Sequence, residues 1–159
     1  MELFFQEKLS LNGKVVITDM EEKVVFTGKN SFNKKKTFLF DENKKKLATI
    51  TYNNGLFNKG YLVKIGRKKV ALIKKKLSLV NQNFKIKKLD WDVKGNFASK
   101  EYTISKGDET IAVIKRAKLV SLLEGYSVNI TNDEDVVKVM CVALVLNKIL
   151  HNKKMKLIK

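Results

Sequence analysis

Short apolar runs recur along the whole chain, and most of them alternate apolar with polar positions between clusters of Gly, Asn, Asp and Lys. A period of two with closely spaced turn signals is typical of β-strands joined by hairpins. Connections at 41–43, 66–67 and 106–108 contain residues that readily adopt turn conformations. The pattern therefore predicts a mainly β protein with strands near 3–8, 14–19, 24–28, 36–40, 46–52, 60–65, 69–75, 83–87, 91–95, 101–105, 110–115 and 125–130.

An internal repeat with a spacing of about 22 residues underlies these strands. Ala-Thr-Ile at 48–50, Ala-Leu-Ile at 71–73 and Ala-Val-Ile at 112–114 each follow a turn. Because side chains alternate between the two faces of a strand, the Ala and Ile of each copy share one face. We expect that face to point into the core through Ala48, Ile50, Ala71, Ile73, Ala112 and Ile114.

Six connections between the hairpins are apolar, although loops are usually polar. At one end of a closed sheet they would form an apolar rim that could dock on a membrane or a ligand. Alternatively, they fold inward and close the mouth of the barrel. The apolar residues of these connections lie at 9–11, 32, 56–57, 77–80, 97 and 119–123.

The C-terminal segment 135–151 is helical by pattern, and Thr131 followed three residues later by Glu134 is typical of a capping box. Residues 139–146 are apolar on all sides, so the helix must be enclosed by protein or by lipid. A bilayer needs about 20 apolar residues, which this segment does not supply. The sequence therefore predicts a closed antiparallel barrel of about twelve strands around a central hydrophobic C-terminal helix.

The length of 159 residues suits one domain with one core. We assign 1–152 to the barrel, with its core helix, and 153–159 to a basic tail. Glu2 and Glu7 stand where a signal peptide would carry positive charge, so export is not indicated. Together with the single cysteine, this predicts a cytoplasmic protein, either free or peripheral on the inner face of the membrane.

Positive charge is concentrated in the middle of the chain. The sequence has 33 Lys and Arg against 16 Asp and Glu, a formal net charge of +17. No acid occurs from 43 to 89, a stretch with thirteen lysines and Arg67. Such an excess indicates an anionic partner, such as nucleic acid or a lipid surface. The two arginines, fourteen asparagines and absence of proline also fit a compositional bias without any binding role.

If the strands built from this stretch are neighbours, their outward lysines form one positive wall. Each cation near an anionic leaflet contributes ~1 kcal/mol, and lysine suffices for this. Specific base readout prefers arginine, so only nonspecific nucleic-acid binding fits these residues. A structural or protein-interaction module that uses the apolar rim is a further alternative. The candidate residues for lipid or anion binding are Lys44, Lys45, Lys46, Lys64, Arg67, Lys68, Lys69, Lys74, Lys75, Lys76, Lys85, Lys87 and Lys88.

Candidate catalytic and metal-binding residues are few. His151 lies at the end of the predicted helix, where a cation is favourable, and Cys141 lies in its apolar stretch, where a thiol usually packs inertly. Asp90 and Asp92 are expected in solvent on one strand face. One cysteine and one histidine cannot form a zinc cluster, and the sequence has no Gly-rich phosphate loop. The sequence therefore predicts a binding protein, not an enzyme, without metal or cofactor.

Three segments and the terminal helix resemble one protein family. The segments are Leu-Asp-Trp-Asp-Val-Lys-Gly-Asn-Phe at 89–97, Tyr-Thr-Ile at 102–104 and Ile-Ala-Val-Ile-Lys at 111–115. In this order they resemble bacterial members of the LURP-one-related family, part of the Tubby C-terminal-like superfamily. The resemblance implies a twelve-stranded barrel around the C-terminal helix. The superfamily includes phosphoinositide-binding Tubby domains and phospholipid scramblases, so the resemblance also implies association with membrane lipid.

Overall fold

The alternation of apolar and polar positions forms twelve strands in the computed structural model of the chain. The structure describes residues 1–6, 13–33, 35–56, 59–75, 83–96, 99–118 and 124–158, with the backbone alone for 150–158. The strands are β1 (Glu2–Gln6), β2 (Lys14–Thr18), β3 (Val24–Asn30), β4 (Lys36–Asp41), β5 (Lys46–Asn53), β6 (Gly60–Ile65), β7 (Lys68–Lys75), β8 (Phe84–Lys87), β9 (Trp91–Asn96), β10 (Glu101–Lys106), β11 (Glu109–Lys118) and β12 (Glu124–Ile130).

The strands pair in chain order to form a closed antiparallel barrel. The barrel closes through β1, which pairs with β2 on one side and with β12 on the other. At the closure Phe5 lies opposite both Ile17 and Tyr126. The predicted fold class is therefore confirmed, and the predicted turns at 41–43, 66–67 and 106–108 all join neighbouring strands.

Two different sets of connections lie at the two ends of the barrel, because successive antiparallel strands run in opposite directions. One end, called the loop end below, carries the connections that leave β1, β3, β5, β7, β9 and β11. The other end, called the turn end, carries those that leave β2, β4, β6, β8, β10 and β12. All six apolar connections singled out in the sequence fall at the loop end.

The C-terminal helix α1 (Val136–Ile158) fills the barrel. Its residues Val139, Met140, Cys141 and Ala143 are fully buried, as expected for a helix that is apolar on all sides. The predicted inward face of the repeat is confirmed, because every one of its residues belongs to the same core: Ala48, Ile50, Ala71, Ile73, Ala112 and Ile114. Within the described part of the chain, no helix has the length and apolar character needed to span a membrane.

The helix enters at the turn end and leaves at the loop end. It is preceded by a short 3-10 helix (Asp133–Asp135) that follows β12. Near its exit, Asn147 and Lys148 line a cavity together with Gly13 and Asn30, which lie at loop-end strand termini. The helix is longer than predicted, because its backbone continues to Ile158. His151 and most of the predicted basic tail therefore lie within the helix and not after it.

The predicted capping box at the start of the helix is wrong. Thr131 Oγ1 donates a hydrogen bond to the carbonyl oxygen of Thr110 at 2.9 Å, so it does not cap the helix. The N-cap residue of the 3-10 helix is Asn132, which makes no side-chain capping hydrogen bond. The first turn of the 3-10 helix contains three acids instead, Asp133, Glu134 and Asp135. Their negative charge is stabilising there, because the N-terminus of a helix carries a partial positive charge.

Candidate anion-binding surface

The acid-free stretch of the sequence forms the four neighbouring strands β5 to β8. Two pairs of lysines lie directly opposite each other on these strands: Lys64 with Lys69, and Lys74 with Lys85. Such pairs share one face of the sheet. The outward cations of these strands define a surface called the lysine wall below, made of Lys46, Lys64, Lys69, Lys74, Lys85 and Lys87.

The other candidate residues lie at the two ends of the same strands. Lys75 lies at the loop end of β7 and is exposed. Lys76 lies outside the described residues. The remaining five candidates are exposed in the turns or at the first strand residue of the turn end, and they are Lys44, Lys45, Arg67, Lys68 and Lys88.

Two acids compensate the charge of Lys85. Its ammonium group lies 3.0 Å from Asp90 Oδ1 and 3.5 Å from Asp92 Oδ2. The hydrogen bond to Asp90 raises the pKa of Lys85 above its usual value. Asp92 lies on β9, whereas Asp90 lies in the preceding turn with a positive φ of 56°. These two carboxylates are therefore partners of a lysine at the edge of the wall.

Apolar surface lies beneath the lysine stems. Leu72 points outward, since its neighbours Ala71 and Ile73 are in the core, yet it is only 8% exposed. It lies opposite Lys87 on β8, and long lysine side chains can cover such apolar surface with their methylene groups. The wall thus combines charged heads with an apolar base.

The described acids are concentrated at one end of the barrel, whereas cations lie at both ends. Among the described acids only Glu101 and Glu124 lie at the loop end, and Glu124 forms an ion pair with Arg116. The other described acids lie at or next to the turn end: Glu2, Asp19, Glu21, Glu22, Asp41, Glu42, Asp90, Asp92, Asp108, Glu109, Asp133, Glu134 and Asp135. The loop end instead carries Lys14, Lys29, Lys35, Lys36, Lys59, Lys74, Lys75, Lys100 and Lys118.

Two apolar side chains project from the loop end. Phe32, between β3 and β4, is fully exposed, and Leu56, between β5 and β6, is 96% exposed. Phe32 and Leu56 therefore agree with the predicted apolar rim and not with the alternative in which the connections fold inward to close the barrel. The other apolar residues of the predicted rim, at 9–11, 57, 77–80, 97 and 119–123, lie outside the described residues.

All four tyrosines of the chain lie on loop-end segments of their strands. Tyr102 and Tyr126 are buried and line one small cavity with Asn147 of the helix. Burial raises the pKa of Tyr102 to about 12. Within the described part of the chain, neither the hydroxyl of Tyr102 nor Oδ1 of Asn147 has a hydrogen-bond partner. The remaining two, Tyr52 and Tyr61, lie directly opposite each other on β5 and β6 with ring centroids 5.0 Å apart.

Except for Lys74 and Lys75, the loop-end cations were missed in the sequence because they come from separate hairpins. Lys36 and Asp41, for example, belong to the same short strand but lie at its opposite ends. Along the sequence, the positive charge of such a lysine is balanced by the acid a few residues away. In the folded barrel the two charges lie at opposite ends, so they do not balance each other. The signal that could have revealed them is the alternation of connections, since the acids cluster in every second one.

Cys141 and His151 were among the candidates for catalysis or metal binding. Cys141 is fully buried, and burial raises the pKa of its thiol to about 12. The side chain of His151 lies outside the described residues. A search of the described side chains finds no group of three or more His, Cys, Asp or Glu that could hold a metal ion.

The closed barrel around a single C-terminal helix defines a Tubby-like fold. The model of the LURP-one-related family matches residues 1–147, and the chain belongs to this family. Both the fold and the family were predicted from the sequence and are confirmed. Family and fold are consistent with a non-enzymatic binding module.

Two known proteins resemble the whole chain. A protein of Bacillus subtilis strain 168 named "Uncharacterized protein YxjI" is 27% identical over 155 residues, which cover 96% of this chain and 95% of that protein. An X-ray structure of a protein from Arabidopsis thaliana has a TM-score of 0.68 and 16% sequence identity. The match covers 93% of this chain and 91% of that chain, and at this identity it shows the fold.

Proposed function

We propose that this protein is a non-enzymatic module that associates peripherally with anionic phospholipid surfaces, and that the cations of the acid-free stretch 43–89 supply the attraction. The observation that carries the proposal is that β5 to β8 are neighbours and hold no acid, so their cations lie together on one side of the barrel. Like charges so close together are destabilising. An anionic surface relieves their repulsion, and each cation near such a surface contributes ~1 kcal/mol.

The composition of the wall favours lipid over nucleic acid. Bidentate recognition of bases and phosphates is the strength of arginine, and only Arg67 and Arg116 occur in the chain. Single-stranded nucleic acids also need exposed aromatic residues for stacking. Trp91, Tyr102 and Tyr126 are instead buried in the barrel, and the exposed Phe32 and Tyr52 lie on different hairpins. Lysines over an apolar base suit a fluid surface of lipid phosphates, which demands no fixed hydrogen-bond geometry.

The proposal places the protein on the cytoplasmic leaflet of the membrane. That leaflet carries anionic lipids, and its negative surface potential attracts basic segments within about one Debye length. A peripheral protein needs no membrane-spanning segment for this, and binding would be reversible and dependent on salt.

Flotation of the protein with lipid vesicles tests the proposal. We expect binding to vesicles of equal parts phosphatidylglycerol and phosphatidylcholine, little binding to pure phosphatidylcholine, and loss of binding at high salt. Vesicles should also capture the protein in the presence of a short oligonucleotide. Absence of binding to acidic vesicles at low salt would overturn the proposal. Preference for the oligonucleotide would favour a nonspecific nucleic-acid function.

A pair of charge variants identifies the surface. Changing Lys74, Lys75, Lys76 and Lys87 together to Gln should remove most of the vesicle binding. Lys85 is left in place because Asp90 and Asp92 already compensate its charge. The control changes the same number of charges outside the acid-free stretch, at Lys23, Lys94, Lys106 and Lys115. Equal losses in the two variants would show that net charge alone matters and that the acid-free stretch is not the binding surface.

A further inference from the structure

We propose that the barrel docks on the membrane with its loop end, where Phe32 and Leu56 insert among the lipids and the surrounding lysines contact the phosphates. This inference rests on the proposed function and assigns one surface to it. It divides the cations into two groups, because those of the turn end are held away from the lipid. The acids of the turn end are held away with them.

The two ends of the barrel are far apart. A strand of eight residues such as β5 is about 26 Å long, and a tilt of roughly 40° leaves a barrel height of about 20 Å. The Debye length at physiological salt is ~8 Å. Charges at the end remote from a surface are therefore screened from it. A barrel that stands on its loop end places Lys35, Lys36 and Lys59 against the lipid and removes most described acids from it.

Two exposed apolar side chains lie at the same end as these cations. Phe32 and Leu56 project at the loop end, next to cations in their own connections or strand starts: Lys35 and Lys36 after Phe32, and Lys59 after Leu56. An apolar side chain ringed by cations complements an anionic membrane, which offers phosphates at its surface and hydrocarbon just beneath. Neither nucleic acid nor water offers that second layer.

Hydrogen bonds hold the turn that presents Phe32. Ser31 Oγ donates to Asn33 Oδ1 at 2.8 Å and accepts from the backbone N–H of Lys36 at 3.1 Å. Asn33 Oδ1 also accepts from the backbone N–H of Lys35 at 3.1 Å. The aromatic tip is therefore preorganised, so little conformational entropy is lost on insertion.

Two charge variants of equal size test which end docks. The first changes Lys35, Lys36, Lys59 and Lys75 at the loop end to Gln, and the second changes Lys44, Lys45, Arg67 and Lys68 at the turn end. Both remove four charges from the same side of the barrel. We expect the loop-end variant to bind phosphatidylglycerol vesicles at least about tenfold more weakly than the parent, and the turn-end variant to stay within about twofold. Equal effects, or a larger effect at the turn end, would overturn the inference.

Insertion is tested with an environment-sensitive thiol dye. Phe32→Cys and Leu56→Cys place the dye at the loop end, and Met20→Cys is the matched control because Met20 is an exposed apolar residue at the turn end. The buried Cys141 does not compete for the dye in the folded protein. With acidic vesicles, we expect a blue shift and quenching by lipid-borne quenchers at the loop-end positions only.

The outcomes separate this inference from the function on which it rests. Vesicle binding without any blue shift at Phe32→Cys or Leu56→Cys, or with a shift at Met20→Cys instead, refutes loop-end docking and leaves membrane binding intact. Failure of the unmodified protein to bind acidic vesicles refutes both. Phe32→Ser and Leu56→Ser should weaken vesicle binding at both low and physiological salt, whereas Met20→Ser should not.

Discussion

Gly95 on β9 lies directly opposite Tyr102 on β10, and the phenol ring of Tyr102 occupies the space that a side chain at Gly95 would need. The ring and the glycine thus form one packing unit near the loop end of the barrel. The absence of a Cβ at Gly95 lets Tyr102 lie flat against the sheet and reach the helix at Asn147, whose cavity it shares.

Gly95→Ala should destabilise the protein by about 1–3 kcal/mol, because the added methyl group overlaps the Tyr102 ring and forces it from its place. Denaturant unfolding of the two proteins measures the difference. The same substitution in a Tyr102→Leu background should cost much less. An equal cost in both backgrounds would show that the two residues are not coupled.

Asn147→Leu and Tyr102→Phe should each leave the melting temperature unchanged or raise it. Each substitution removes a buried polar atom for which the described residues offer no partner, and an unpaired buried polar group costs about 1–3 kcal/mol. Differential scanning calorimetry measures the shift. A clear fall in melting temperature for both variants would mean that these atoms bind a trapped water or another ligand.

Ala143→Asp should unfold the domain or lower its stability by more than about 3 kcal/mol, because Ala143 is fully buried at the centre of the barrel. Asn129→Asp, on the exposed face of β12, adds the same charge and should have little effect. Circular dichroism during thermal unfolding compares the two. A folded Ala143→Asp protein with the parent melting temperature would contradict the central position of the helix.

The stability of the protein should fall as the pH rises above about 9, at up to about 1.4 kcal/mol per pH unit from one thiol. The pKa of Cys141 is raised by burial to about 12, so the folded state keeps a proton that the unfolded state releases. Denaturant midpoints between about pH 8 and pH 10 measure the slope. The Cys141→Ala variant should lose this contribution. An unchanged slope would assign the pH dependence to other groups.

The barrel was predictable because burial leaves a strong periodic signal. Ala71 and Ile73 face the core and Lys74 does not, so the sequence reports the strand and its inward face together. The helix position followed from the lack of any polar side between 139 and 146. The end of the helix could not be predicted, because His151 and the residues after it carry no apolar period. The capping box failed because the Thr131 hydroxyl reached Thr110 on another strand, which a local motif cannot show.

The candidate surface was predictable only where it is continuous in sequence. The lysine wall comes from consecutive strands, so its excess of charge is visible along the chain. The loop-end cations come from several hairpins whose acids lie at the other end of the same strands, as for Lys36 and Asp41. The pairing of Lys85 with Asp90 and Asp92 also required the structure, since the acids belong to the next turn and strand.

The central claim is that the protein binds anionic membranes through its cations, and the partition of the unmodified protein onto acidic vesicles at increasing salt tests it most directly. Raising the ionic strength from 0.01 M to physiological values shortens the Debye length from about 30 Å to about 8 Å. We expect tight binding at low salt that weakens steadily over this range, and no binding to neutral vesicles. Binding that is absent at low salt, or that is equal on neutral and acidic vesicles, would contradict the account.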